Sequence, residues 1–483
     1  MGRSIVTIDD LANDEIENVF ALADEFLQRL AVDGKPERLR GRIQLAEQCV
    51  LATLFFEPST RTRFSFESAM LRLGGHILSS ADPASSSAAK GESIADMIRV
   101  VQNYADLIVI RHPLEGAALV AAEFADIPVI NGGDGRHEHP TQTLCDLYTL
   151  RREKKKLKNL NVQLRGDLKR GRTVHSLVYA LARFGANIIT SSAPGLELPA
   201  YVVRRLQRDY DCGPIDVEGL PDDVDGVYVT RRRAVQATLP NLPPDFLIDV
   251  SSKGFSSKDF RKIDIFYVTR LQSERSAEEG QEADYPVVSA RFLKDRRYRN
   301  SSVLHPLPRL DELAYDVDQD DRALYFKQAS YGVPVRMALL AALLGLQEGV
   351  LAKSKPAGHY PLYTRRGGIA CLNPFCVTRN EPEQNYLASK FWILEGDALT
   401  LRCLYCDHET TPQCVGRIST KRYDTDLSRW TRIPLEDLIM FADRNAAHAA
   451  GFQLYKSRSR EHDPLPARTA RGVAGPGAPN AAP

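Results

Sequence analysis

The first 350 or so residues alternate between short apolar runs and longer stretches in which an apolar residue recurs every three or four positions. Short apolar runs predict buried strands, and the longer spacing predicts amphipathic helices. The predicted strands are 49–56, 105–110, 127–131, 161–164 and 187–190. The predicted helices are 9–30, 114–124 and 173–184, with another that begins at 140 and runs past 150. Strands that alternate with helices favour parallel sheets, which bind ligands where their strands end.

A polar segment joins the first predicted strand to a helical pattern that has Phe66, Met70 and Leu73 on one face. The first helical turn offers free N–H groups and a dipole that favour a phosphate. Hydroxyl groups and a guanidinium that can bind two oxygens add to this preference, and they belong to Ser59, Thr60, Arg61 and Thr62. The alternative is an ordinary surface helix, because Ser and Thr are common N-caps.

The stretch from 194 to 293 is less regular and contains two similar pieces. Asp-Gly-Val-Tyr-Val-Thr-Arg occupies 225–231, and Asp-Ile-Phe-Tyr-Val-Thr-Arg occupies 264–270. Each piece predicts a strand that ends in Thr-Arg, and a local duplication or an insertion would explain the pair. A further strand at 303–304 leads into a proline-rich loop, and a helix is predicted over 333–346.

The length, composition and net charge of the chain indicate a globular protein of several domains. A chain of 483 residues is expected to form two or three domains. With 43% hydrophobic residues, 26% charged residues and a formal net charge of +1, nothing favours nucleic acid or an acidic membrane as a partner. No apolar run reaches the roughly 20 residues that span a bilayer, and the N-terminus predicts an amphipathic helix rather than a signal peptide. We therefore expect a cytoplasmic protein.

Four of the eight cysteines form two close pairs near the C-terminus. Cys371 pairs with Cys376 and Cys403 pairs with Cys406, which offers the four thiolates of a structural zinc site in a reducing compartment. Cys414 is nearby but lacks the pair spacing. We expect a linker at 353–368, a zinc domain at 369–456 and a disordered tail at 457–483, which is rich in Arg, Ala, Gly and Pro.

Seven motifs then occur in the order found in the catalytic chains of aspartate carbamoyltransferases, which residues 1–350 resemble. They are Phe55-Phe56-Glu57-Pro58-Ser59-Thr60-Arg61-Thr62-Arg63, Lys90-Gly91-Glu92, Val109-Ile110-Arg111-His112-Pro113, His139-Pro140-Thr141-Gln142, Gly166-Asp167 with Gly171-Arg172-Thr173-Val174-His175-Ser176, Thr269-Arg270, and His305-Pro306-Leu307-Pro308-Arg309. The resemblance implies an α/β fold with two doubly wound parallel-sheet domains. Residues 1–140, completed by a returning helix at 333–350, would bind carbamoyl phosphate, and 141–332 would bind aspartate.

The implied reaction transfers a carbamoyl group from carbamoyl phosphate to L-aspartate, the second step of pyrimidine biosynthesis, with no metal in catalysis. By resemblance, Ser59, Thr60, Arg61 and Thr62 bind the phosphate, while Arg111, His139 and Gln142 surround the carbonyl group and the phosphate bridge. Arg61, Thr62, Arg111 and His139 would be the catalytic residues. The backbone of Leu307 and Pro308, joined by a cis peptide bond, would contact the carbamoyl amide. Arg172, Arg270 and Gln272 would hold aspartate.

The resemblance also implies a homotrimer with shared active sites, because Ser86 and Lys90 would serve the neighbouring subunit. It does not determine whether trimers associate further. Residues 369–456 resemble the zinc domain of the regulatory chain of the same enzyme, which implies a small, β-rich domain like a zinc ribbon. Only the linker stands where that chain carries its nucleotide-binding domain, which puts control by ATP or CTP in doubt.

Four alternatives stay open at this stage. The arginine that binds aspartate could be Arg231 instead of Arg270. The number of residues between Arg172 and Arg231 is closer to the family's usual spacing, but only Arg270 is followed by the family's Gln and Glu-Arg. An ornithine-type transcarbamoylase would carry a cysteine in the counterpart of the 305–308 loop, and two arginines facing a dicarboxylate favour aspartate instead. An inactive homologue could serve as an assembly scaffold. A zinc ribbon that binds nucleic acid lacks a strong positive charge in its favour.

Overall fold

The computed structural model describes two compact units of the chain, one formed by residues 1–358 with 374–384 and the other by 359–373 with 385–483. The described residues are 3–81, 91–155, 157–158, 160–165, 168–169, 172–192, 195–216, 226–229, 265–268, 287–294, 298, 301–310, 312–352, 360–364, 368–381, 386–394 and 399–455. The predicted tail at 457–483 and most of the predicted linker therefore lie outside them. Within these ranges, the helices are all too short or too polar to cross a membrane.

The first unit combines parallel strands with helices, as the alternating pattern predicts. Its helices are α1 (Asn13–Leu30), α2 (Thr60–Arg72), α3 (Ile94–Val101), α4 (Ala117–Phe124), α5 (Pro140–Lys154), α6 (Arg172–Arg183), α7 (Ala200–Tyr210), α8 (Tyr325–Leu343) and α9 (Val377–Asn380). Its strands are β1 (Ala31–Val32), β2 (Lys35–Leu39), β3 (Val50–Phe55), β4 (His76–Ser80), β5 (Leu107–His112), β6 (Val129–Asp134), β7 (Asn161–Arg165), β8 (Asn187–Ser191), β9 (Ile215–Asp216), β10 (Gly226–Val229), β11 (Ile265–Val268) and β12 (Ser302–Leu304).

Two parallel sheets organise the first unit. Strands β4-β3-β5-β6 form one sheet, and strands β12-β11-β10-β7-β8-β9 form the other. Strands β3, β5 and β6 are buried along almost their whole length, as parallel strands covered by helices on both faces must be. The predicted α/β class is thus confirmed in both sheets.

The two similar segments of the irregular region are neighbouring strands rather than alternative copies of one strand. Strand β10 pairs in parallel with β7 on one side and with β11 on the other. Gly226 lies opposite Ile265 and Val229 lies opposite Val268, so both segments reach the same edge of the sheet. The residues between them, 230–264, lie outside the described part of the chain.

Helix α8 corrects one prediction. The sequence predicted a helix from 333, next to Pro334, but α8 begins eight residues earlier at Tyr325 and contains Pro334 in its interior. A proline inside a helix costs about 3 kcal/mol, because it removes a hydrogen bond and crowds the preceding turn. Burial of each large apolar side chain contributes about 1.5–3 kcal/mol. The helix buries residues on all its faces, among them Met337, Leu339 and Leu340, and so tolerates the proline.

Other boundaries also differ from the predictions, and helix α1 begins at Asn13 instead of 9. Helix α4 begins at Ala117 instead of 114, because Gly116 adopts φ +89° and donates its N–H to Asp134 Oδ2 over 2.8 Å. Ser79 and Ser80 belong to strand β4, although the sequence predicted a loop from 79 to 90. The Ser79 hydroxyl donates to Glu67 Oε1 over 2.8 Å, which anchors the end of that strand. Residues 82–90 of the predicted loop lie outside the described residues.

The second unit is rich in antiparallel strands. Its strands are β13 (Leu362–Tyr363), β14 (Phe391–Leu394), β15 (Thr400–Cys403), β16 (Glu409–Thr410), β17 (Cys414–Arg417), β18 (Arg422–Asp424), β19 (Leu438–Phe441) and β20 (Gln453–Leu454), and it contains helix α10 (Arg444–Ala449). They form two sheets of the orders β13-β14-β15-β16 and β19-β17-β18-β20. Strand β13 lies within the predicted linker. This β-rich unit agrees with the predicted C-terminal domain.

Candidate active site

The segment after β3 forms the expected turn into a helix. Ser59 is the N-cap of α2, and its hydroxyl makes no capping hydrogen bond to the described first turn. Thr62 is buried, whereas Thr60 and Arg61 are exposed. The N-terminus of α2 therefore presents hydroxyl, guanidinium and backbone N–H donors together, which is the donor set that an anion requires.

Arg111, at the end of β5, is held by two acceptors. Its side chain is 6% exposed, and its Nη2 lies 2.6 Å from Glu57 Oε1. Its Nη1 donates to the carbonyl oxygen of Gly132 over 3.0 Å. Glu57 thus orients the guanidinium from within the turn that precedes α2, a role that the sequence did not predict although Glu57 belongs to the motif.

His139 lies close to Arg111 because a glycine separates them. Gly133 has φ +118°, and a Cβ built on it would lie 2.8 Å from Arg111 Nη1 and 3.4 Å from His139 Cδ2. His139 is the N-cap of α5 and is 5% exposed. Its backbone N–H donates to Ser176 Oγ over 3.1 Å. The structure therefore brings these two predicted carbonyl-binding side chains together.

The loop after β12 is shaped by a neutral histidine. His305 Nδ1 accepts the N–H of Leu307 over 2.8 Å, so its ring proton lies on Nε2, which donates to Glu312 Oε1 over 2.8 Å. Burial lowers the pKa of His305, and the positive charges of Arg309 and Arg61 act in the same direction. Burial alone would raise the pKa of Glu312, but the hydrogen bond from His305 and other donors outweigh it and lower the pKa.

The same loop contains the expected cis peptide bond. The bond between Leu307 and Pro308 is cis, and Leu307 adopts φ +53°. The electrostatic influence of Arg61 on His305 relates this loop to the N-terminus of α2. The loop and the predicted phosphate turn thus belong to one neighbourhood of the first unit.

Several predicted residues cannot be compared with the structure. Residue 172 begins helix α6, as a residue at an anion-binding turn should, but its side chain is not described. Ser86, Lys90, Arg270 and Gln272 lie outside the described residues, as does Arg231. Their roles remain predictions.

The two cysteine pairs meet in one cluster. The sulfur atoms of Cys371, Cys376, Cys403 and Cys406 all lie within 4.8 Å of one another, and all four residues are buried. Cys371 Sγ is 3.6 Å from Cys406 Sγ. Tetrahedral zinc with Zn–S bonds of about 2.3 Å separates its sulfur atoms by about 3.8 Å, so this donor set fits the metal. Cys414 is not one of the four, because it packs in an apolar cluster with Phe441 and Phe452.

Within the first unit, the segment around Cys376 pairs with the loop that follows Arg111. The N–H of Glu115 donates to the carbonyl of Phe375 over 3.0 Å, and the N–H of Val377 donates to the carbonyl of Glu115 over 2.9 Å. Cys376 is therefore bridged in parallel to Glu115. The Arg136 guanidinium also stacks 4.4 Å above the Phe375 ring. The segment around Cys376 and the loop after Arg111 are thus joined by backbone hydrogen bonds.

Three family models match the chain. The carbamoyl-P binding domain of aspartate/ornithine carbamoyltransferase matches residues 3–152, and the Asp/Orn binding domain of the same family matches residues 252–343. The metal binding domain of the aspartate carbamoyltransferase regulatory chain matches residues 366–415. The four buried cysteines thus lie in a segment that resembles a known metal-binding domain.

Relatives and solved structures agree with the family models. The chain is 43% identical over 352 residues to the aspartate carbamoyltransferase catalytic subunit of Thermococcus onnurineus, covering 72% of this chain and 99% of the relative. The catalytic subunit of M. jannaschii aspartate transcarbamoylase is 38% identical, with a TM-score of 0.55 over 72% of this chain and 99% of that chain. Trypanosoma cruzi aspartate transcarbamoylase, solved with carbamoyl phosphate and aspartate, is 32% identical, with a TM-score of 0.52 over 70% and 95%. The chain therefore belongs to the aspartate carbamoyltransferase family, and a metal-binding domain of the regulatory-chain type follows its catalytic region in the same polypeptide.

Proposed function

We propose that the chain transfers the carbamoyl group of carbamoyl phosphate to the amine of L-aspartate and releases phosphate, as the second step of pyrimidine biosynthesis. The observation that carries this proposal is the convergence of Arg111 and His139 around Gly133 in a member of this family. The uncharged amine attacks the carbonyl carbon, and the bond from that carbon to the phosphate oxygen breaks. The proton that the amine loses passes to the departing phosphate, which leaves as hydrogen phosphate.

Preorganised charge supplies the catalysis in this proposal. Ser59, Thr60, Arg61 and Thr62 hold the phosphate, which accumulates negative charge as it leaves. Arg111 and His139 polarise the carbonyl oxygen. Orientation of two bound substrates can supply about 7–11 kcal/mol of a barrier, so no covalent intermediate is required.

Gln142 and the 305–308 loop hold the other side of carbamoyl phosphate. The carbonyl oxygens of Leu307 and Pro308 can accept hydrogen bonds from the carbamoyl amide, since carbonyl oxygens act only as acceptors.

Arg172, Arg270 and Gln272 bind aspartate in this proposal. Arg270 lies within the segment matched by the Asp/Orn binding domain, whereas Arg231 precedes that segment. Because β10 and β11 reach the same sheet edge, either arginine would follow a suitably placed strand. We assign the carboxylate clamp to Arg270.

We also propose a cytoplasmic homotrimer in which Ser86 and Lys90 complete the neighbouring active site. The domain boundaries are proposed as 1–140 with the returning helix, 141–332 and 369–456. Zn²⁺ is the proposed structural metal, held by Cys371, Cys376, Cys403 and Cys406. The metal would stabilise the fold around the thiolates and take no part in the transfer.

A carbamoyl-phosphate assay that offers aspartate and ornithine separately tests the proposal. We expect wild-type protein to use aspartate, and Arg270→Ala to lose that turnover while Arg231→Ala retains it. Loss of turnover in Arg231→Ala alone would overturn the assignment of the clamp. If wild-type protein used neither amino acid, the proposed activity itself would be wrong.

A further inference from the structure

A buried carboxylate lies between elements that belong to both halves of the proposed site. Asp146, on α5, is 1% exposed, and its two oxygens accept three hydrogen bonds. Oδ1 accepts from Gln142 Nε2 and from Gln328 Nε2, each over 2.9 Å. Oδ2 accepts from the Tyr267 hydroxyl over 3.1 Å. Buried carboxylates are rare unless they are paired, so this arrangement needs an explanation.

Each donor leads to a different part of the site. Gln142 stands one turn before Asp146 on α5 and is a proposed ligand of carbamoyl phosphate. Tyr267 lies on β11, the strand that leads to the proposed aspartate clamp at Arg270. Gln328, on α8, accepts the backbone N–H of His305 through Oε1 over 2.9 Å and so holds the start of the 305–308 loop.

The polarity of this network is determined by a backbone group. The N–H of His305 can only donate, so the atom of Gln328 that faces it must be the carbonyl oxygen. The amide nitrogen of Gln328 then faces Asp146 and also donates to the Tyr267 oxygen over 3.3 Å. Asp146 must therefore accept from Gln328, and as a carboxylate it also accepts from Gln142 and Tyr267. Because Asp146 accepts a hydrogen bond from Gln142, the side-chain nitrogen of Gln142 faces Asp146. The side-chain oxygen of Gln142 then remains to accept a hydrogen bond from a ligand.

We propose that Asp146 is a positioning residue for carbamoyl transfer, which sets the orientation of Gln142 and couples it to strand β11 and to the 305–308 loop. The inference rests on the proposed function. In this orientation Gln142 offers an acceptor oxygen, which binds an N–H donor of the ligand. The amide of the carbamoyl group provides such a donor.

The ionised form of Asp146 is the form that fits its partners. Burial raises the pKa of Asp146 to about 7, while the three donors and the positive charge of Arg336 oppose that rise. A protonated carboxyl group would direct its own hydrogen at groups that already donate. The three donors thus stabilise an anion in a place where burial disfavours it.

Asp146→Asn tests the inference, because asparagine has nearly the same shape but replaces one oxygen with an N–H donor. We expect kcat/KM for carbamoyl phosphate to fall about 10-fold or more, through both a higher KM and a lower kcat, since at least one hydrogen bond to a charged group is lost. Tyr267→Phe removes a single donor and is the milder second variant. It should also raise the KM for carbamoyl phosphate, although Tyr267 lies on β11, the strand that precedes the proposed aspartate clamp.

Asp24→Asn is the matched control. Asp24 also accepts a tyrosine hydroxyl, that of Tyr148 over 2.7 Å, and interacts with Arg151 and Arg152, but it touches none of the proposed substrate ligands. It should lower the melting temperature and leave both kinetic constants unchanged.

The kinetic constants of these variants decide between a positioning role and a purely structural role for Asp146. If Asp146→Asn and Tyr267→Phe kept the wild-type kcat and KM while only the melting temperature fell, Asp146 would be structural and the inference would be overturned. If Asp146→Asn did not fold, an unchanged KM in Tyr267→Phe would overturn it as well. An inactive wild-type protein would instead refute the proposed function, which the same assay detects first.

Discussion

Replacement of Glu57 by glutamine measures how much the proposed reaction depends on the orientation of Arg111. The Arg111 side chain is 6% exposed and Glu57 is 21% exposed, so water screens their 2.6 Å contact only in part. Glutamine keeps the length of the side chain and one acceptor oxygen but removes the charge. The substitution therefore changes the strength of the contact more than its shape.

The size of the effect follows from that contact. Hydrogen bonds to charged groups contribute about 1.5–3 kcal/mol, and neutral ones about half as much. We therefore expect Glu57→Gln to weaken the orientation of Arg111 by about 0.8–1.5 kcal/mol, which corresponds to a fall in kcat/KM of about 4- to 13-fold. Arg111 keeps its hydrogen bond to the carbonyl of Gly132, so activity should not vanish.

The assay follows carbamoyl aspartate at saturating aspartate while carbamoyl phosphate is varied. Glu25→Gln is the control, because Glu25 and Arg29 are 3.9 Å apart and more than half exposed, and such pairs contribute little. A kcat/KM for Glu57→Gln within twofold of wild type, with the protein folded, would refute the argument that Glu57 orients Arg111.

Two further predictions concern the metal and the pH. Cys403→Ser should lose the bound zinc measured by atomic absorption, because a closed structural site uses all four thiolates. Unchanged zinc content would contradict the four-cysteine site. Burial lowers the pKa of His112 to about 4, below its value in the unfolded chain, so the folded state should lose up to about 3 kcal/mol as the pH falls from 6.5 to 4. Urea unfolding of His112→Asn should show a smaller loss over this range, and an equal loss would exclude His112 as its source.

Local patterns predicted most of the elements that build the candidate site. The apolar run before Ser59, the proline that opens α5 and the apolar strand before His305 all lie where the sequence placed them. Each of these signals depends on residues that are close together in the chain. The start of α8 was missed for the same reason, since Pro334 is a strong local signal whose cost is offset only by packing from α1, α2 and α5.

The orientation of the site could not be predicted in this way. Glu57, Ser176 and Glu312 hold Arg111, His139 and His305, respectively, and none of the three was predicted to do so. One signal was available for Asp146, because it lies four residues after Gln142 on a predicted helix and therefore on the same face. Its other partners carry no such signal.

The sequence by itself determined the class of fold, the order of the substrate-binding motifs and the identity of the four cysteines. Periodicity and spacing are properties of neighbouring residues, so these features can be read along the chain. Only the tertiary structure decided which groups hold those motifs in place. Asp146 and Gln328 are 182 residues apart, and their 2.9 Å hydrogen bond exists because α5 and α8 pack together. Hydrogen-bond geometry between distant segments depends on that packing, which no local pattern specifies.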